Sequence, residues 1–193
     1  VAACPTAALD QTCFSNAQML AQIETFLKGS RMGFPRVVVF SCNWCSYTAA
    51  DTAGLKRMAM DPHFCVLRTM CSARVDPEWV LKALSKGADG VLVLAGHPGR
   101  CHYEIGNLRT RKRMALLHNY LDQMGFDPDR FRIAYVDSEE VEGYVKVVNE
   151  YVEKVRTLGP NPIDPNIRIS PKRIEMPWLD IKPDKKWHEG LEL

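Results

Sequence analysis

Four of the seven cysteines in this 193-residue chain recur at one interval. Cys42 and Cys45 stand in Ser-Cys-Asn-Trp-Cys-Ser; Cys71 follows Cys42 by 29 residues, and Cys101 follows Cys71 by 30. Each thiol follows a short apolar run. A strand–helix–strand unit takes roughly 30 residues. Successive thiols therefore fall at equivalent places, the carboxyl ends of neighbouring parallel strands, and open α/β sheets bind their ligands along that edge. Four thiols converging there suit a metal or iron–sulfur site.

The rest of the chain fits such a sheet. Ser15 is placed to cap a helix from about Asn16 to Lys28, in which Met19, Leu20, Ile23, Phe26 and Leu27 recur at helical spacing. Gly29–Gly33 reads as a linker and marks the expected domain boundary. Val37–Phe40 is a short Val-rich run, as expected of a strand buried on both faces. Ser46–Met60 is Ala-rich and helical, and Cys65–Met70 is the second strand. Asp76-Pro77-Glu78 starts a helix, with Asp as cap and Pro at the first helical position, and Lys86-Gly87 ends it. Gly90–Ala95 is the third strand, Gly106–Met124 a long helix and Arg132–Val136 the fourth strand. Ser138 is expected to cap the last helix, which Gly159-Pro160 closes. Strands alternating with helices predict a four-stranded parallel α/β sheet with helices on both faces, in the order 2-1-3-4. Its switch point falls between the first and third strands, where Cys42, Cys45 and Cys101 would meet.

Composition narrows the function. The charged fraction is 25% and the formal charge +2, which gives no electrostatic case for nucleic acid or an anionic membrane surface. No apolar run approaches the ~18–20 residues of a membrane span. An odd number of cysteines, in a chain too rich in core residues for a disulfide-stapled mini-domain, indicates reduced thiols. The location expected is cytoplasmic, or the inner face of the membrane reached through partner subunits. Cys4-Pro5 reads as the end of the bacterial ferredoxin run, in which three residues precede a final Cys-Pro. The third cysteine of that run would fall one position before Val1. The expectation is a fragment of a longer polypeptide, with Cys4 a ligand to a [4Fe–4S] cluster shared with the upstream part. Residues 161–193 hold five prolines with Trp178 and Trp187, show no period, and read as an extended docking tail.

Cys42-Asn-Trp-Cys45 lies at a strand-to-helix turn, where the helix amino terminus favours thiolates. Three chemistries use such thiols. A thioredoxin-like dithiol needs only these two and leaves Cys71 and Cys101 unexplained. Structural zinc takes four thiolates but usually from two short Cys knuckles. An iron–sulfur cluster tolerates dispersed ligands. Cys65 reads as a small buried hydrophobe and Cys13 as structural. His97 and His102 flank the Cys101 loop, where hydrogen bonding to the loop or to cluster sulfurs is the simpler role. Trp44 and Tyr47 are placed either to shield the site or as plain core. Arg109, Arg111, Lys112 and Arg113 make a basic run that is either a solvated face or a docking site for an acidic partner. No phosphate loop and no Ser/His/Asp set is present, so no bond chemistry on a substrate is expected.

Several motifs together resemble one family. Phe40-Ser-Cys-Asn-Trp-Cys-Ser-Tyr, Arg68-Thr-Met-Cys-Ser-Ala-Arg-Val-Asp-Pro77, His97-Pro-Gly-Arg-Cys-His-Tyr103 and Gly106-Asn107 look like the delta (iron–sulfur) subunit of the methyl-viologen-reducing [NiFe] hydrogenase. The likeness covers about Pro35 to Pro160. Cys4-Pro-Thr-Ala-Ala with Ser15–Ile23 is similar to the ferredoxin-like end of the A-type polypeptide of heterodisulfide reductase. The whole thus resembles a fusion of the two, as in the quinone-interacting oxidoreductase of sulfate reducers. The resemblance implies domains at 1–33, 34–160 and 161–193. It further implies an electron-transfer module with a [2Fe–2S] cluster on Cys42, Cys45, Cys71 and Cys101. The partners implied are hydrogenase and heterodisulfide-reductase-like subunits, with FAD in the parent polypeptide or a partner. One residue departs from the pattern: the family's loop after the third strand commonly reads Gly-Cys-His, and here it is Ala95-Gly96-His97. A redox-inert docking domain, with zinc or an empty site, is the alternative that departure favours.

Overall fold

A computed structural model describes residues 2, 4, 6, 8–29 and 33–163. The expected docking tail, apart from Asn161–Ile163, lies outside them. Four parallel strands form one sheet in the order β2-β1-β3-β4, as the sequence predicts. They are β1 (Val37–Cys42), β2 (Phe64–Thr69), β3 (Gly90–Ala95) and β4 (Phe131–Tyr135). Five helices pack around them: α1 (Asn16–Gly29), α2 (Ser46–Leu55), α3 (Pro77–Ser85), α4 (Gly106–Gln123) and α5 (Val141–Leu158). Every residue of β1 and β3 is buried, because these central strands are covered on both faces.

Alternation divides the core. Val38, Phe40, Val91 and Val93 point to one face, where α1, α3 and α4 supply Met19, Ile23, Trp79, Met114 and Leu117. Val37, Val39, Leu92 and Leu94 point to the other, against Ala49 of α2 and Tyr144, Val148, Tyr151 and Val152 of α5. Each such fully buried side chain contributes about 1.5–3 kcal/mol. The α1 helix, upstream of the linker, therefore shares a hydrophobic cluster with the sheet.

Two expectations need correction. The α2 helix stops at Leu55 rather than Met60. Arg57 takes a left-handed φ of 52°, Met58 N–H donates back to Ala53 O and Arg57 N–H to Gly54 O, which closes the helix in a Schellman turn. Ser138 does not cap α5; the chain first makes a turn in which Glu140 N–H donates to Asp137 O, and the helix begins at Val141.

At the amino ends of the strands, Arg130 is buried and its guanidinium donates to the carbonyls of Asp89, Leu158, Gly159 and Pro160 at 2.9–3.1 Å. This cross-link ties the end of α5 to the starts of β3 and β4, opposite the edge that carries the cysteines.

Candidate metal centre at the strand ends

The parallel register carries the four thiols to one edge. Cys42 is the last residue of β1, and Cys45 precedes α2. Cys71 caps a 3₁₀ turn (Ser72–Arg74) just beyond β2. Cys101 lies in the loop between β3 and α4. This is the switch point between β1 and β3. Cys42 and Cys45 are buried at 3% and 4% exposure, while Cys71 and Cys101 are half-buried.

Backbone interactions set each loop. Cys42 N–H donates to Ser46 Oγ at 3.0 Å, and Ser46 Oγ–H to Leu94 O at 3.2 Å, which pins the Cys42–Cys45 turn to β3. Ala73 N–H points at Cys71 Sγ from 3.4 Å, an interaction that favours a thiolate. Arg113 holds the same loop by donating to Ala73 O and Val75 O. Of the four-residue basic run, Arg113 is thus partly structural. The Cys42 thiol is pushed down to about 3 by hydrogen bonding first from Cys45 and then from Cys71. Those two thiols are pushed up, because each shares a proton toward Cys42 and is buried.

Two glycines lie against the sulfurs. A Cβ at Gly106, the first residue of α4, would lie 2.6 Å from Cys71 Sγ and 3.2 Å from Cys101 Sγ. A Cβ at Gly96 would lie 2.6 Å from Cys45 Sγ and 3.3 Å from Asp137 Oδ1. Cys45 in this position and any side chain at residue 96 exclude each other, so the place where the resemblance leads one to expect a cysteine is taken by the Cys45 sulfur. The sulfurs share this edge without being drawn around one point. Among the described residues, no group of three or more His, Cys, Asp or Glu side chains is arranged to hold a single metal ion.

The surrounding side chains hold the edge together. Asn107 is buried and its Nδ2 donates to Gly96 O at 2.9 Å and His97 O at 2.7 Å, tying α4 to the β3 loop. Asn107→Ala strands both carbonyls and is expected to cost about 2–3 kcal/mol in chemical denaturation. Asp137, buried two residues beyond β4, accepts from His97 N–H and pairs with Arg100 at 2.8 Å. His97 Nε2 lies 2.9 Å from Glu140 and is thereby turned to that carboxylate. Trp44 stacks on His102 with centroids 4.1 Å apart, and its Nε1–H donates to Tyr103 Oη, so this aromatic group roofs the loops bearing Cys45 and Cys101. Tyr47 instead lies under Arg68.

The other cysteines stand apart. Cys65 packs against the core beside α1, and burial pushes its thiol up. Cys13 is exposed. Cys4 lies 3.6 Å from Thr6 Oγ1, and that hydroxyl, followed by the Leu9 backbone, lowers its thiol to about 7. Arg74 draws the segment after Cys4 to the thiol edge, donating to Phe14 O and Asn16 Oδ1. A cavity of about 370 Å³ beside Cys71 is lined in part by Ala2, Asp10 and Tyr103.

Gly106, Asn107 and Asp137 are contributions that spacing arithmetic did not single out. Asp137 had a signal, since it follows the fourth strand as the cysteines follow the first three.

The fold is a doubly wound α/β domain with four free thiols gathered near its topological switch point. Residues 37–159 match the family described as the methyl-viologen-reducing hydrogenase delta subunit (FlpD), and the chain belongs to that family. It is 42% identical over 126 residues to the D-type iron–sulfur subunit of an F(420)-non-reducing hydrogenase from Archaeoglobus profundus, covering 65% of this chain and 92% of that one. The D-type iron–sulfur subunit of the vhc F(420)-non-reducing hydrogenase from Methanococcus voltae is 40% identical over 126 residues, 65% of this chain and 88% of its own. The A-type polypeptide of the ferredoxin:CoB–CoM heterodisulfide reductase of Methanosarcina mazei is 42% identical over a longer stretch, 153 residues or 79% of this chain. The chain spans only 18–19% of the length of the A-type relatives. No described helix is long and apolar enough to cross a membrane.

Proposed function

We propose that this domain is an electron-relay module of an oxidoreductase complex, built on a [2Fe–2S] cluster held by Cys42, Cys45, Cys71 and Cys101. The observation that carries the reading is the gathering of four thiols at three strand ends, with glycine at 106 where a Cβ would fill the space between Cys71 and Cys101 and glycine at 96 where one would meet the Cys45 sulfur. The names of the relatives, iron–sulfur subunits of hydrogenases and polypeptides of heterodisulfide reductases, support the same class. When bound, the cluster supplies a site that accepts and releases one electron. The chain's part is to hold the sulfurs at set positions, to keep Cys42 ionised, and to exclude water beneath Trp44, His102 and Tyr103. Loading releases the protons still held by the other thiols, so affinity rises with pH.

Cys4 is assigned to a second, [4Fe–4S] centre completed by residues upstream. Arg74, which ties Phe14 and Asn16 to the loop after Cys71, supports a position for that centre near the thiol edge. FAD in the parent polypeptide, and hydrogenase and heterodisulfide-reductase-like subunits as donor and acceptor, complete the proposal.

A redox-inert domain with structural zinc is the rival. It is favoured by four thiolates and the absent fifth cysteine, but Cys45 already fills the space at Gly96. Reduction of the purified protein, followed by electron paramagnetic resonance, is expected to give one paramagnetic centre for the four-thiol site, which Cys71→Ser abolishes or alters. A spectrum unchanged in Cys71→Ser, or zinc in place of iron, would sink the relay reading.

A further inference from the structure

Among the described residues ten large hydrophobic side chains are exposed, and six of them lie on α4 or within three residues of its ends. Leu108, Leu116, Tyr120 and Met124 fall on one row of four-residue steps, with Lys112 in the remaining place. Leu116 is 71% exposed and Tyr120 54%. The opposite side of the same helix is spent on the core through Met114, Leu117 and Leu121. A helix apolar on both sides is normally buried on both. Contiguous apolar surface of this kind marks an interaction site.

Exposed Ile105 and Tyr103 precede the helix, with the acid Glu104 between them, and Tyr103 is the residue that receives the Trp44 hydrogen bond over the thiol loops. A body seated on α4 is therefore seated beside the centre. The charges say what kind of body. Arg109, Arg111 and Lys112 are exposed on α4, where Asp122 is the one acid, and no described carboxylate forms an ion pair with these three. Arg132, across the groove from Arg111, extends the same sign, while Lys154 there is paired with Asp129 at 2.8 Å.

We propose that the outer face of α4, from Tyr103 to Met124, docks a separate redox subunit whose contacting surface is apolar at its centre and acidic at its rim. The choice of a redox partner rests on the electron-relay reading. The need for a protein partner does not. It comes from an apolar row with a cationic border, on a domain that forms 92% of a relative named as a subunit.

The test uses the full-length chain, affinity-tagged and purified with its native partners. Leu116→Glu with Tyr120→Glu alters only exposed positions. The double variant is expected to keep its melting temperature and iron content, while affinity for the partner falls at least about tenfold, the usual effect of removing two interface anchors. A photo-crosslinking residue at 116 is expected to join a peptide of another redox subunit that carries Asp or Glu around apolar residues. An unchanged subunit ratio in the double variant would overturn the proposal. So would a cross-link to this chain or a second copy of it, or binding to phosphatidylglycerol vesicles that the variant abolishes. If the wild type holds no cluster, the relay reading fails, and the subunit ratio still decides the docking surface.

Discussion

Gly106→Ala is expected to yield a folded protein that has lost at least nine-tenths of the iron held by the four-thiol site, counted as the difference from the variant with all four cysteines changed to serine. The added methyl would stand 2.6 Å from Cys71 Sγ, 3.2 Å from Cys101 Sγ and 3.7 Å from Ala73 Cβ. Two of these three neighbours are the ends of side chains that can rotate away, so the backbone need not move. Alanine also suits a helix better than glycine by up to about 1 kcal/mol, which offsets part of the crowding. The cost therefore falls on the thiols, which must move aside. Changes that misplace metal ligands without removing them typically lower affinity 10–100-fold. Iron and sulfide per chain, with circular dichroism melting as the control, check the outcome. A variant with full iron would mean that Cys71 or Cys101 does not bind it.

Arg130→Met should do the opposite, weakening the fold while sparing the centre. Its guanidinium satisfies four carbonyls at the amino ends of the strands, and methionine fills much of the volume with no donor. Some of those carbonyls regain water when the loop loosens, so the loss is less than four full desolvation penalties. About 3–5 kcal/mol is expected, or roughly 10 °C in Tm for a chain of this size. Bound iron in the folded fraction stays unchanged, since the thiols lie at the other edge. A shift below about 2 °C would show that Arg130 is replaceable by water.

The two substitutions separate what the sequence made legible from what it did not. Strand order and the gathering of thiols follow from an interval, and intervals are visible in a chain of letters. Helix ends were legible only where the usual residue marks them. Gly87 and Gly125, at φ 93° and 72°, close α3 and α4, with Ala88 N–H donating to Ala83 O and Phe126 N–H to Leu121 O. Arg57 closes α2 with the same bonds at φ 52°, but arginine carries no signal for a left-handed turn, and the Ala-rich pattern reads past it. Ser138 misled for a related reason. A good cap residue begins a helix only if the chain turns there, and Asp137 and Glu140 are engaged with His97 and Arg100 instead.

Within the site, the cysteines were legible and the spaces between them were not. Gly96 looked like a ligand lost from the family's pattern. Its neighbour in space, Cys45 Sγ, lies 51 positions away in sequence and shows that the position has no room for a side chain while Cys45 points inward. Gly106 and Asn107 looked like a helix start. They are instead the two residues that leave room for the thiols and clamp the loop beside them.

Iron and acid-labile sulfide, quantified per chain in the full-length protein purified without oxygen, test the four-thiol assignment most directly. The contribution of this domain is obtained by subtraction from a variant with Cys42, Cys45, Cys71 and Cys101 all changed to serine. The account predicts a loss of about two iron and two sulfide per chain in that variant. A loss of one zinc, or no change in metal at all, would contradict it.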